Sequence, residues 1–318
     1  MKSVDIVSNN PIGISTTRDR YDSFLVELAK SEGCIFIDSD RVIDVAVIDN
    51  EVVCRLQSGR SIRGLVALGA DGMNGITAPK TATRDKWSND QVGLCLETTI
   101  ILNEEQMKHI DPEIFELYFI DIPLGYAWLL PKKSSISLGI GGIMEHLHNP
   151  RETLMQFINI ASKNKGIDLK ITRSHAHLVP VGGLKRKIVS DHVMLVGDAA
   201  GFVDPLTGEG IYYAMKSGLL AAVACKEAIE SNDLSASFLE THYSKVCDEA
   251  FGKDLKIALD LTYKFHDNLD VFLNLIARSG PTLTDLARGD LSYRVLRRRI
   301  LRTFMISLLN KRLRNILH

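Results

Sequence analysis

The spacing of apolar residues divides the chain into helical and extended stretches. Residues 18–31 predict a helix, because Tyr21, Phe24 and Leu28 recur at helical spacing and Gly33 suits its end. Short apolar or alternating runs separated by turn residues predict strands. These runs cover 34–37, 42–48, 52–56, 62–68 and 193–196.

The middle of the chain alternates less regularly and predicts a second sheet, of mixed type. Its strand-like segments lie at 92–99, 114–120, 127–130 and 135–141, followed by a helix over 150–163. Further helices are predicted over 211–229, 234–251 and 255–269, and near the C-terminus. The pattern therefore predicts an α/β fold with an inserted sheet of α+β character and a helical C-terminal region.

Composition limits the classes of protein that need consideration. A chain of 318 residues that is 45% hydrophobic can form one large or two modest domains. A net charge of −1 gives no argument for a nucleic-acid partner. Neither a signal-peptide core nor an apolar run of about 18 residues is present, which predicts a cytoplasmic protein, soluble or peripheral at the cytoplasmic membrane face. The five cysteines form no CxxC pair, and no metal site is predicted.

The segment 192–211 carries the strongest chemical signal. Its apolar run ends at Gly197-Asp198, and regular structure resumes after a Gly208-Glu209-Gly210 turn with a helix that begins at Ile211. A carboxylate at Asp198 can accept a hydroxyl, and a bare helix N-terminus offers N–H groups to an anion. The alternative is an ordinary strand-to-helix turn.

This segment closely resembles the second FAD-binding signature of flavoproteins built like aromatic hydroxylases and geranylgeranyl reductases. The resemblance implies FAD as cofactor, with Asp198 on the ribityl chain and the turn against the flavin. Residues 18–22 and 69–72 resemble two further signatures of this group, although Met73-Asn74-Gly75 stands where a serine is usual and Asp71 could simply cap a turn. The cofactor-binding residues implied are Arg18, Asp71, Gly197, Asp198, Gly208, Gly210 and Ile211.

An aromatic motif in the inserted sheet narrows the substrate class. Tyr126, Trp128 and Pro131, followed by Gly139 and Gly141, are similar to the YxWxFP…GxG signature of geranylgeranyl reductases, with a leucine in place of the phenylalanine. Side chains two apart on a strand share a face, so the aromatic pair can form an apolar wall for isoprene units. The glycines would allow close approach of backbone or ligand. The alternative is an aromatic pair packed in a sheet core.

The resemblance implies an FAD-dependent reductase of carbon–carbon double bonds in geranylgeranyl chains, with isoprenoid membrane lipids of the digeranylgeranylglycerophospholipid type as expected substrates. A prenylated lipid or prenyl diphosphate would be the substrate, and NAD(P)H, ferredoxin or another donor would supply electrons. No residue is identified as the proton donor. Two alternatives stay open: another FAD-dependent oxidoreductase of this fold, either a monooxygenase or a quinone-directed enzyme, and a truncated, non-catalytic remnant.

The resemblance also implies a domain organisation. Residues 1–87 would form the first, N-terminally truncated part of a partial Rossmann-like FAD-binding domain, and 186–232 its return segment. Residues 88–185 would form the substrate domain and 233–318 the C-terminal helical region. The strand–GxGxxG–helix unit with which the family begins is not found in residues 1–318. We therefore expect weak FAD binding by 1–318 alone and an unpaired sheet edge.

The C-terminal segment 291–318 is strongly basic. It contains eight lysines and arginines and no acidic residue, and Leu296, Ile300, Phe304 and Leu308 recur every fourth position. This pattern predicts an amphipathic helix at an anionic membrane surface. A helix packed on the domain with solvated arginines is the alternative.

Overall fold

The computed structural model describes residues 5–8, 10–84, 87–171, 173–269 and 280–299. The described strands are β1 Val42–Ile48, β2 Glu51–Leu56, β3 Ser61–Gly64, β4 Ala67–Gly69, β5 Val92–Ile101, β6 Glu116–Tyr118, β7 Tyr126–Lys132, β8 Ser135–Ile143, β9 His175–Pro180, β10 Val189–Ser190 and β11 Val193–Leu195. The described α-helices are α1 Arg18–Ser31, α2 Thr77–Lys80, α3 Glu104–Met107, α4 Pro150–Lys165, α5 Gly197–Ala200, α6 Ile211–Ser231, α7 Ala236–Leu239, α8 Lys245–Cys247, α9 Lys253–Asp267 and α10 Gly280–Ala287. Residues 293–299 are also helical. The predicted α/β class is confirmed.

The strands form three sheets. The first is an antiparallel sheet in the order β1-β2-β3. The second has the order β10-β11-β4, and β11 runs parallel to β4. The third has the order β6-β7-β8-β5-β9. Among the residues that the structure describes, β4 therefore forms an edge of the second sheet, as the sequence predicts.

Two predicted strands are wrong. Residues 34–37 form no strand, and Ile35 is 91% exposed, because no described neighbour supplies the backbone hydrogen bonds that a strand needs. The predicted strand 62–68 is split between two sheets. Its first half pairs with β2 through Ile62, whereas Ala67 begins the parallel pairing with Val193. A change of partner leaves no mark on the apolar pattern.

The five-stranded sheet is the structural base of the inserted segment. All four of its strand pairings are antiparallel, so the predicted mixed sheet is wrong in this detail. One face packs on α4, which begins with Pro150 at its first turn and ends at Gly166 in the left-handed conformation. Leu129, Leu138 and Phe157 are fully buried between them. The opposite face is left for the site described below.

A second core lies under α6. Ser217, Ala221, Ala224 and Ala228 form its buried face, and neighbouring residues include Met194, Leu195 and Tyr243. Gly218 and Ala222 lie off the buried face. The small side chain of Ala214 lets α6 approach α5 closely at Gly197.

The two helices predicted over 234–251 and 255–269 form one continuous helical run. The π-helical turns Glu240–Ser244 and Asp248–Gly252 join α7, α8 and α9. Among the described residues, no helix is both long and apolar enough to cross a bilayer. Most of the predicted basic terminal helix lies outside the described residues.

Candidate active site

Asp198 lies at the start of α5, directly after β11, and is partly buried. A β-carbon added at Gly210 would lie 3.3 Å from Oδ1 of Asp198, which places the carboxylate beside the start of α6. Burial raises the pKa of Asp198, and the positive charge of Arg18 partly opposes that rise. Among the described residues, no group donates a hydrogen bond to this carboxylate. It can therefore accept a ligand hydroxyl.

The glycine before this acid makes a close approach possible. Gly197 has φ +52°, and a β-carbon there would lie 3.0 Å from Cβ of Ala214 on α6. Its N–H donates to the buried Oγ of Ser217 at 3.0 Å. A larger residue would push α5 away from α6, so Gly197 shapes the site through packing rather than through a side chain.

Helix α1 contacts α6 near Asp198 through a side-chain hydrogen bond. The hydroxyl of Tyr21 donates to Sδ of Met215 at 3.1 Å. Arg18 pairs with Asp22 at 3.0 Å and lies within electrostatic reach of Asp198. Arg18 and Asp198 are 180 positions apart in the sequence, and their assignment to a cofactor site stays a prediction.

The N-terminus of α6 is not bare, and this part of the prediction is wrong. The carboxylate of Glu209 accepts a hydrogen bond from the N–H of Tyr212 at 2.9 Å. Burial raises the pKa of Glu209, and hydrogen bonds from Tyr212 and Ile211 oppose that rise. An acid placed just before a helix start is a capping signal that the sequence already contains. The contacts of Gly208, Gly210 and Ile211 with a flavin stay predictions.

Asp71 caps the short helix α2. Its carboxylate accepts hydrogen bonds from both the N–H and the hydroxyl of Thr77, each at 2.8 Å. A β-carbon at Gly75 would collide with this carboxylate, so the glycine makes room for the cap. The turn-capping alternative is thus confirmed, and a cofactor contact of Asp71 stays a prediction.

The turn between α5 and α6 is organised by Asp204, which sequence reasoning missed. This side chain is 4% exposed and accepts hydrogen bonds from the N–H groups of Leu206 and Thr207, at 2.8 and 3.1 Å. The hydroxyl of Tyr293 donates to its other oxygen at 2.7 Å. Burial raises the pKa of Asp204, and the Tyr293 hydrogen bond opposes the rise. No local pattern links two residues 89 positions apart.

Tyr126 and Trp128 share one face of β7, as predicted. Their ring centroids are 6.1 Å apart, with an edge-to-face angle of 62°. The hydroxyl of Tyr126 donates to the carbonyl oxygen of Thr207. The aromatic wall is therefore attached directly to the turn that carries Gly208.

The two glycines of this motif accommodate the indole. Trp128 lies opposite Gly139 in the β7–β8 register, and a β-carbon at Gly139 would overlap its ring. A β-carbon at Gly141 would lie 3.2 Å from Sγ of Cys95. Pro131 is buried on the other face of β7, and neither it nor Gly139 lines the cavity described next. Strand alternation turns Pro131 to the face opposite Tyr126 and Trp128, and the role of Pro131 and Gly139 in substrate binding stays a prediction.

A cavity of about 450 Å³ lies between the free face of the sheet, the Asp204 turn and α9. Residues from all three line it, including Tyr126, Trp128, Gly141, Leu206, Gly208 and Phe265. Its volume is in the range of small-molecule sites, and most of its wall is apolar.

The protic groups of the cavity wall are largely engaged. The hydroxyl of Thr262 donates to the carbonyl oxygen of Ala258 at 2.9 Å. Nδ1 of His266 accepts the N–H of Leu124 at 3.2 Å. Burial, followed by the charge of Glu97, raises the pKa of Cys95 to about 11. Asp121 and Asp204 also line the cavity, and most of the remaining wall is apolar or aromatic.

Comparison with known proteins places this arrangement in a family. The family model described as tryptophan halogenase matches residues 8–272. The chain belongs to the tryptophan halogenase family. A halogenase solved with phloroglucinol and FAD has the same fold as this family member, with a TM-score of 0.60, 14% identity, and coverage of 87% of this chain and 61% of that one.

Within this family, the resemblance to geranylgeranyl reductases is confirmed. A digeranylgeranylglycerophospholipid reductase of Methanococcus vannielii is 29% identical over 311 residues, covering 93% of this chain and 76% of that protein. A geranylgeranyl bacteriochlorophyll reductase-like protein of Thermoplasma acidophilum has a TM-score of 0.70 and 26% identity, over 82% of this chain and 67% of that one. Another curated relative is covered over only 56% of its length.

FAD is confirmed as the cofactor of this family fold, and the residues present fit part of it. Asp198 offers a carboxylate with no described donor, and Gly210 leaves space beside that carboxylate. Arg18 adds a positive charge nearby.

Proposed function

We propose that this chain acts as an FAD-dependent reductase of carbon–carbon double bonds in geranylgeranyl chains, with a digeranylgeranylglycerophospholipid as substrate. One observation carries the proposal. A single cavity is bordered both by Gly208 of the cofactor turn and by Tyr126 and Trp128 of the aromatic motif. Two motifs assigned independently to cofactor and substrate therefore border the same space.

The cavity chemistry suits a prenyl chain. The Tyr126 hydroxyl is engaged with Thr207, so its ring rather than its hydroxyl is available to an occupant. Trp128 lies beside the glycines of β8 and adds a second aromatic surface to the cavity wall. A mostly apolar wall of this kind stabilises a bound alkene, because apolar surface of both the wall and the alkene is removed from water.

The chain's own residues would position the cofactor. When bound, FAD supplies hydride chemistry that no side chain can provide. Asp198 would accept a ribityl hydroxyl, and Arg18 would lie beside it. Asp204, held by Tyr293, would fix the turn that faces the flavin. The same proposal includes the domain limits 1–87, 88–185, 186–232 and 233–318, an electron donor, and contact of 291–318 with a membrane.

The direct test is anaerobic turnover with chemically reduced FAD. The full chain would be incubated with a digeranylgeranylglycerophospholipid, and mass spectrometry would detect gain of hydrogen pairs in the lipid. Each double bond reduced takes two electrons from one reduced flavin, so the appearance of oxidised-flavin absorbance would be followed in parallel. Flavin binding without lipid reduction under these conditions contradicts the proposed substrate.

Trp128→Ala tests the aromatic wall. We expect turnover of the long prenyl substrate to fall about tenfold or more, because about 1.4 kcal/mol of lost ring contact is tenfold in rate. FAD binding should be unchanged. Tyr263→Ala is the control, since Tyr263 is an aromatic residue of α9 that is 44% exposed. Intact turnover combined with lower stability in Trp128→Ala would assign the pair to the core.

The family match supports a second candidate, an oxygen-dependent flavoenzyme such as a halogenase or monooxygenase. Such an enzyme would consume oxygen and NAD(P)H in a substrate-dependent way. Measuring oxygen uptake with and without the prenyl lipid separates it from the reductase. A non-catalytic remnant would bind lipid yet show no flavin absorbance after incubation with FAD.

A further inference from the structure

Two arginines and a tryptophan form a cluster away from the cavity wall. Cζ of Arg84 lies 3.8 Å from the ring centroid of Trp87, and Cζ of Arg186 lies 4.5 Å from the same centroid. The indole N–H of Trp87 donates to the carbonyl oxygen of Met73 at 2.9 Å, which fixes the ring. We call Arg84, Trp87 and Arg186 the arginine cluster. None of its members lines the cavity.

The guanidinium groups of this cluster carry buried donors without acceptors. Nε of Arg84 and both terminal nitrogens of Arg186 are buried and make no hydrogen bond within the part of the chain that the structure describes. One nitrogen of Arg84 does donate, to the carbonyl oxygen of Ala199. Gly201 lies close to Arg186 and leaves room for it, since a β-carbon at Gly201 would lie 2.7 Å from Nη1 of Arg186. Unsatisfied donors of this kind are rare in folded proteins and call for a partner.

The described acids nearby, Asp71 and Asp90, do not accept hydrogen bonds from the two guanidinium groups. Asp71 acts on Arg84 only through its charge, because its carboxylate is bonded to Thr77. Asp90 likewise acts on Arg186 through charge alone. Burial and the charge of Arg84 lower the pKa of Arg186 to about 10. Two desolvated cations on one ring are unfavourable unless an anion joins them.

We propose that the arginine cluster is a binding site for a phosphate group. Planar guanidinium groups match the oxygens of phosphate through paired hydrogen bonds, and two of them together favour a multiply charged oxyanion. Arg84, Trp87 and Arg186 are each only partly buried as whole residues, so the cluster lies close to the surface. A lipid headgroup, the diphosphate of FAD and free phosphate all offer this chemistry.

Trp87 provides a direct readout of binding. The chain has two tryptophans, so Trp128→Phe leaves Trp87 as the single indole fluorophore. Titration with inorganic phosphate should give a saturable change in its emission, whereas chloride at equal ionic strength should not. Absence of a saturable change overturns the proposal.

Thermal unfolding of the full chain gives an independent measurement. Phosphate should raise Tm progressively with concentration, because it binds only the folded state. Arg186→Gln and Arg84→Gln should each weaken the apparent affinity about tenfold or more, through loss of a charge-assisted hydrogen bond. Lys185→Gln, which changes an exposed neighbour, should behave like the unaltered chain.

The source of the phosphate is then identified by competition. Glycerol phosphate that displaces inorganic phosphate in an Arg186-dependent way points to a lipid headgroup, and FAD that does so points to the cofactor. Equal phosphate-induced Tm shifts in the unaltered chain and in both arginine variants would overturn the proposal. Failure of the proposed reductase activity would leave these binding measurements unaffected.

Discussion

At the scale of single residues, Asp198 combines a local signal with a tertiary environment. Its position after β11 is readable from the sequence, but its partial burial and its proximity to Arg18 arise from the packing of α1 against α6. Burial makes the charged carboxylate of Asp198 unfavourable in the free chain. A hydrogen bond from a ligand therefore stabilises this carboxylate more than it would stabilise an exposed one.

We expect Asp198→Ala to weaken FAD binding by about 1.5–3 kcal/mol, since a charge-assisted hydrogen bond is lost. Isothermal titration with FAD measures the change. Asp168→Ala is the control, because Asp168 pairs with Lys170 on the surface. An unchanged dissociation constant in Asp198→Ala would remove Asp198 from the cofactor site.

The pH dependence follows from the same residue. Since burial raises the pKa of Asp198 above its usual value of 3.8, the carboxylate gains its proton at a higher pH than an exposed acid would. FAD affinity should therefore fall as pH decreases through that raised pKa. Asp198→Asn, which cannot titrate, should lack this component of the pH profile.

At the scale of elements, glycine has opposite consequences in β8 and α6. Gly139 leaves room for the Trp128 ring, whereas a β-carbon at Gly218 would meet no atom within 4 Å. Glycine is therefore required for packing in β8, whereas in α6 it lowers the helix propensity and fills no tight space.

We expect Gly139→Ala to lower the free energy of unfolding by about 1–3 kcal/mol, because the added carbon overlaps the indole. Gly218→Ala should raise it by about 0.4–1 kcal/mol through reduced entropy of the unfolded chain. Urea unfolding followed by circular dichroism measures both. A neutral Gly139→Ala would show that Trp128 is free to move, contrary to the geometry.

At the scale of the whole molecule, the C-terminal region contacts the turn between α5 and α6. Tyr293 donates to the buried Asp204, and Arg294 pairs with Asp254 of α9 at 2.8 Å. Leu296 is 8% exposed and packs near Ala258. The beginning of the basic segment is thus part of the domain core, which agrees with the packed alternative for these residues.

Tyr293→Phe tests this long-range link. We expect stability to fall by about 1–3 kcal/mol, because the buried carboxylate of Asp204 loses a hydrogen-bond donor. Urea unfolding at neutral pH measures the change. Tyr263→Phe alters an exposed hydroxyl and should have little effect. Equal stabilities for the two variants would show that the link to Asp204 is not energetically important.

Membrane contact through the basic segment stays a prediction for the residues beyond 299. Co-sedimentation with anionic vesicles should be strong for the full chain and weak for a chain that ends at 299, since 291–296 is occupied in the core. Arg312→Gln with Arg314→Gln should weaken binding by about 1 kcal/mol for each charge. Equal sedimentation of all forms would exclude the membrane role.

The sequence by itself determined the elements and motifs that depend on short-range order. Strand alternation placed Tyr126 and Trp128 on one face, and the resemblance of the segment around Asp198 to a flavoprotein signature predicted the cofactor class. These features are local because side-chain direction and turn geometry depend on adjacent residues.

Only the tertiary structure decided which of these motifs share a space. It placed Gly139 against the Trp128 indole, turned Pro131 to the opposite face of β7, split the strand 62–68 between two sheets, and joined Tyr293 to Asp204. It also placed Arg84 and Arg186 on one ring. Contacts between distant residues depend on how whole elements pack, and packing is set by summed burial and shape that no local pattern records.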